Sequence, residues 1–191
     1  ALSMNTRLTL AAVCGLAVAW GVQGDDAEQY TTEARGIVKQ FFGVLKGELE
    51  GTMKLGGPVA AISLCNVRAP VISSQVSYDV GWDVGRTSLK LRNPENAADA
   101  WEKAALERFE VRKAAGEALK NMEYAEIVEF DGQKAFRYMK AIPTAELCLT
   151  CHGSEIPAEV ATQLDQLYPN DAARRFREGD IRGAFTLRKK L

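Results

Sequence analysis

The chain has 191 residues, of which 47% are hydrophobic and 26% charged, an ordinary make-up for one packed domain. Its 24 basic and 25 acidic residues leave a formal net charge of −1. No basic block or arginine-rich stripe stands out, so nucleic-acid binding has no support. Internal repeats and low-complexity tracts are also missing, which argues against a solenoid or a long disordered arm.

Residues 1–24 read as a signal peptide or N-terminal membrane anchor. Met4 to Arg7 is a short basic start, Leu8 to Val22 is an uncharged apolar run, and Asp25-Asp26 opens a mixed sequence. The run reaches about 22 Å as a helix, short of a hydrocarbon core of roughly 30 Å. Ala17-Val18-Ala19 and Val22-Gln23-Gly24 are the candidate cleavage sites. Either way, residues 25–191 are expected to be periplasmic or extracytoplasmic. Cys14 falls in the apolar run, which leaves Cys65, Cys148 and Cys151, an odd number where thiols tend to pair.

Ile37, Phe41, Val44, Leu45, Leu49 and Met53 recur near helical spacing, which predicts a long amphipathic helix over 26–55, ended by Gly56-Gly57-Pro58. A second helix runs from Val59 to about Ser74, with Ile62, Cys65, Ala69 and Ile72 on one face. Gly85 to Leu91 reads as a strand stopped by Asn93-Pro94, and Ala97 to Ala114 as a helix. Glu126 to Phe130 and Lys134 to Ala141 make a hairpin around Asp131-Gly132. A helix follows over Pro157 to Tyr168, then a helical turn over Ala172 to Arg177 and a closing strand over Ile181 to Leu187. Helices set before and between antiparallel strands predict an α+β domain with its sheet packed on one side.

Cys148-Leu149-Thr150-Cys151-His152 is the signature of c-type haem attachment. Two thiols three positions apart can each add to a vinyl group on one porphyrin edge, and the next residue can place its imidazole beneath the iron. A thioredoxin-like site would need a strand before the motif and a helix after it. A zinc site would need two further ligands, with only Cys65 left as a soft one. His152 is the sole histidine, so two-histidine ligation within one chain is impossible. Met53, Met122, Met139, the lysines, Cys65 and an open position remain for the second axial site. Met53 and Met139 fall at apolar positions where methionine is ordinary core.

The run Ala61-Ile62-Ser63-Leu64-Cys65-Asn66-Val67-Arg68-Ala69-Pro70 resembles the first motif of a family of single-haem c-type sensor domains. Gly85 to Asn96 with Trp101-Glu102, Cys148 to Gly153, and Gly179 to Ala184 are similar to its later motifs, in the same order. The resemblance implies a PAS-like antiparallel sheet flanked by helices, one covalent haem c, and iron ligated by His152 and Cys65. Members occur alone or as extracytoplasmic modules of bacterial kinases and chemoreceptors. Arg86 and Arg92 are expected to neutralise haem carboxylates, in competition with ion pairing to Glu95 or Glu102.

Thiolate opposite imidazole favours ferric iron and a low potential. Two functions are compatible with that: a redox or gas-responsive sensor module that admits CO or NO when ferrous, and an electron-transfer subunit of a membrane complex. No acid–base pair near the motif argues for an enzyme. The motif itself predicts that haem stays with the chain through denaturation and acid–acetone extraction. Haem recovered in the organic layer would contradict it.

Overall fold

The computed structural model describes residues 22–191; residues 1–21, which carry most of the expected export segment, lie outside them. In chain order the elements are α1 (Val22–Val80), β1 (Asp83–Thr87), α2 (Ala100–Ala114), β2 (Glu123–Phe130), β3 (Gln133–Pro143), α3 (Leu149–His152), α4 (Ala158–Leu167) and β4 (Ile181–Lys190).

α1 contains both expected helices, folded back on each other at Gly57. That residue has φ 71° and ψ −174°, and Pro58 follows it. A left-handed φ is open to glycine at little cost, and proline suits the first turn of the returning arm. Arg68 pairs with Glu48 at 2.7 Å although twenty positions separate them, about 30 Å along an unbroken helix. The two arms therefore lie side by side. By length and composition a stretch of α1 within Asp26–Val80 is apolar enough to cross a membrane. Both arms nevertheless contribute to packed cores within the domain.

The four strands form one antiparallel sheet in the order β1-β4-β3-β2. Asp131 and Gly132 both take positive φ, 51° and 75°, which gives the β2–β3 hairpin its tight turn. β3 is central, and alternate residues serve opposite faces. Phe136 and Tyr138 join Ala34, Ile37, Phe41, Ile72 and Trp82 beneath α1. Met139 and Ala141 join Leu106, Phe109 and Met122 beneath α2. The expected α+β class and flanking helices hold, but the sheet is covered on both faces rather than one. The reason is that β3 is apolar on both sides.

Among the element boundaries that differ from expectation, two have clear local causes. α2 starts at Ala100 because Asp99 caps it: its side chain accepts from Glu102 N, and the Glu102 side chain accepts from Asp99 N. β1 ends at Thr87 because Ser88 turns aside, its Oγ donating to Arg182 O at 2.7 Å. Gly183 lets the strands approach here, since a Cβ on it would lie 2.3 Å from Thr87 O. The turn expected over Ala172 to Arg177 is not helical. Its amides instead bond across to other segments: Ala172 N to Leu91 O, Arg175 N to Gly153 O and Phe176 N to His152 O.

The bend at Gly57 places the arm that carries Cys65, so its conformation is worth testing directly. Gly57→Ala should cost about 1–2 kcal/mol, read as a drop of about 2–8 °C in a circular-dichroism melt. Gly36→Ala, at an exposed helical glycine with open space around its Cα, should stabilise the chain by up to about 1 kcal/mol.

Candidate haem site

The cysteine motif is wound into a single helical turn. A short 3-10 turn, Glu146–Cys148, leads into α3, which leaves Cys148 and Cys151 half-buried as free thiols. Gly153 ends the turn, its N donating to Leu149 O at 2.9 Å. A Cβ at Gly153 would sit 2.6 Å from that oxygen, so larger residues do not fit.

His152 is held on two sides. Its Nδ1 lies 2.8 Å from Ala173 O, and because a carbonyl only accepts, Nδ1 carries the proton. Its own carbonyl accepts from Phe176 N at 2.9 Å, and the Phe176 ring stands edge-on to the imidazole at 6.2 Å. Nε2 is therefore the acceptor nitrogen, and it takes a long hydrogen bond from Arg182 Nε at 3.4 Å. Burial, then the charges of Arg182 and Arg92, hold the His152 pKa well below the ordinary value. The imidazole is therefore neutral, the form that binds a metal.

Cys65 faces the same region from the second arm of α1. Ile62 and Ile72 on its helical stripe are buried, the first against α4 and the second against the sheet, whereas Cys65 between them is exposed. Burial nonetheless pushes its thiol up, opposed by the charges of Arg86, Arg92 and Arg182. The thiol of Cys151 also feels Arg92, Cys65 and Cys148, so the three cysteines of the described residues lie in one neighbourhood.

The three arginines have different duties. Arg92 forms a buried ion pair with Asp171 at 3.1 Å, and its Nη2 donates to Cys151 O at 2.5 Å and to Ala173 O at 3.2 Å. The ion-pair partner is thus Asp171, in place of the Glu95 or Glu102 expected from sequence. Arg86 is half-buried, and the anions that raise its pKa are the Cys65 and Tyr168 groups rather than a carboxylate; burial outweighs them and lowers it. The pKa of Arg182 is pushed down to about 10 by burial and by Arg92 and Arg86. Among the described residues these two cations thus have no carboxylate of their own in ion-pair contact.

The buried methionines and the large aromatic side chains of the sheet are placed elsewhere. Met122 and Met139 are fully buried under α2, and Trp82, Phe136 and Tyr138 are core beneath α1. Tyr168, hydrogen-bonded to Asn66, is the aromatic residue near Cys65. Among the described residues no three His, Cys, Asp or Glu side chains gather to hold a bare metal ion, so the rival zinc reading finds no cluster there. Residue reading missed Arg182, Asp171 and Ala173. Arg182 carried a signal, since it lies within the Gly179 to Ala184 motif; Asp171 and Ala173 carried none, being ordinary residues of a strap.

A porphyrin suits these residues on the structure's own terms: two vinyl-reactive thiols, a neutral imidazole whose Nε2 meets only a long contact from Arg182, a thiol in a gap of a buried stripe, and two guanidinium groups without a carboxylate partner for two carboxylates. Residues 23–189 match a family model described as Tll0287-like. No curated protein sequence matches the chain. Among solved structures it is similar to the crystal structure of the cyanobacterial heme-protein Tll0287, with a TM-score of 0.64 and 22% identity, covering 85% of this chain and 96% of that one.

The neutral imidazole makes a pH prediction for the chain prepared without haem. His152 has a folded pKa below its unfolded value of about 6.5, so the unfolded chain takes up the proton first. Its contribution is complete above that pH and is lost as pH falls. The urea midpoint should therefore drop between pH 7.5 and 5.5, and much less so in His152→Gln.

Proposed function

The chain belongs to the Tll0287-like family, and on that premise we propose that it is a c-type haem protein acting as a redox or gas-responsive sensor module. One haem would be attached through Cys148 and Cys151, with His152 and Cys65 as axial ligands and Arg86 and Arg182 as partners for the two carboxylates. The observation that carries the reading is the convergence of three cysteines, the sole histidine and two arginines without a carboxylate partner in one neighbourhood. The likeness to a cyanobacterial heme-protein supports it.

Bound haem supplies a one-electron centre and, where an axial position opens, a site for a small gas. The residues around it differ in how firmly they are held. His152 is tied through Nδ1 and through its own carbonyl. Burial and three guanidinium charges act on the Cys65 thiol, with no hydrogen bond among the influences on it. Cys65 also rides on an arm that turns at Gly57. It is therefore the ligand suited to leave, and its departure would free the second arm of α1 as a two-state element. The exposure of Cys65 also favours a second reading, an electron carrier that presents its haem edge to a partner in a membrane complex. Both readings place the domain outside the cytoplasm, in keeping with covalent haem and the apolar segment at residues 8–22.

A reduced-minus-oxidised spectrum with added CO separates the two. A sensor should bind CO only when ferrous, with loss of the thiolate signature. A carrier should keep one ligand set in both states. Cys65→Ala should convert the ferric spectrum from low-spin thiolate to high-spin or water-ligated while the haem stays attached; an unchanged ferric spectrum would remove Cys65 from the assignment.

A further inference from the structure

Arg92 is bound up with the backbone carbonyl that holds the proximal imidazole. Ala173 O accepts from His152 Nδ1 at 2.8 Å and from Arg92 Nη2 at 3.2 Å. The same Nη2 reaches Cys151 O at 2.5 Å and lies 3.1 Å from Asp171 Oδ2. Asp171 closes the ring by accepting from Ala173 N through Oδ1 at 2.9 Å. Its side chain is only 1% exposed, and Arg92's is 12% exposed. Nη2 has two hydrogens and meets three acceptors, so these bonds compete. Arg92 Nε, buried nearby, has no partner, so this guanidinium is held at one end.

We propose that Arg92 is a positioning residue that sets the donor strength of His152 by sharing the Ala173 carbonyl with it. The inference rests on haem binding at His152. A carbonyl that accepts a second, cationic donor has less electron density for the Nδ1–H bond. The imidazole then keeps more of its neutral character and gives less to iron through Nε2. Partners of this kind orient a metal-binding histidine and tune its basicity. Through Cys151 O, the same guanidinium fixes one attachment thiol relative to the imidazole. The ring Arg92–Asp171–Ala173 thus couples where the haem is attached to how strongly it is held.

The test uses the haem-loaded full chain with Arg92→Gln and Arg92→Lys. Both lose the fork, but lysine keeps the charge and lacks the planar geometry. Covalent haem is scored first on a denaturing gel; a wild-type chain without it overturns both the proposed function and this inference. With haem present, both variants should shift the iron–histidine stretching band of the ferrous, CO-photolysed protein to higher frequency and move the midpoint potential negative. A simple through-space charge effect would move only Arg92→Gln. Asp171→Asn, which frees Arg92 for the carbonyl, should shift the band to lower frequency and guards against a misfolded arginine variant. If the band stays in place in haem-loaded Arg92→Lys and Asp171→Asn, whatever their melting temperatures, the inference is overturned and the ring is structural only.

Discussion

The Arg92–Asp171 ion pair is the joint on which the site depends. Placing two charges in a protein interior costs several kcal/mol per ion unless further hydrogen bonds compensate. Asp171 gathers them from Ala173 N and Arg174 Nε, and Arg92 finds the carbonyls of Cys151 and Ala173. Burial works against ionisation of Asp171, but Arg92 and Arg174 outweigh it and hold the carboxyl below its ordinary range. The pair thereby links the segment after β1, the motif turn α3, and the strap that follows α4. Without it, Ala173 would have little reason to stand beneath His152.

That neutralisation also sorts the arginines. Asp171 pairs with Arg92. Arg86 and Arg182 lie close together: burial, then repulsion from Arg92 and Arg86, lowers the Arg182 pKa, and Asp171 offsets this only in part. Strand register brings them together: Arg86 lies opposite Phe185 on β4, and Ser88 Oγ grips Arg182 O. The close contact at Gly183 tightens the same corner. An anionic ligand at this position relieves the repulsion, so the electrostatics and the thiols call for the same molecule.

The opposite wall is held differently, by apolar anchors and by hydrogen bonds between the Ser73 and Ser77 side chains and Val84. The second arm of α1 is anchored by Ile62 to α4 and by Ile72 and Val76 to the sheet, with Cys65 between the anchors. The motif wall is laced by backbone hydrogen bonds at Gly153, His152 and Leu91. Under the proposed function, a haem held by one wall and shared with the other would tie the position of α1 to iron ligation.

Much of this was legible along the chain because its causes are local. Apolar spacing marked both arms of α1 and β3, Asp131-Gly132 marked the hairpin, and the five residues from Cys148 to His152 carry their chemistry in their order. The resemblance of four short motifs pointed to the family that the match over residues 23–189 shows. Tertiary structure alone decided which arginine is spent on Asp171, that Ala172 to Arg177 is a strap rather than a turn, and that the sheet is covered on both faces. These outcomes depend on partners far apart in sequence: Arg92 and Asp171 are 79 positions apart by their numbers, and Ser88 and Arg182 are 94 apart. Composition and periodicity report what a residue prefers among its neighbours in the chain. They do not report which of several equal charges will meet the one buried carboxylate, because only the packed backbone brings them within reach.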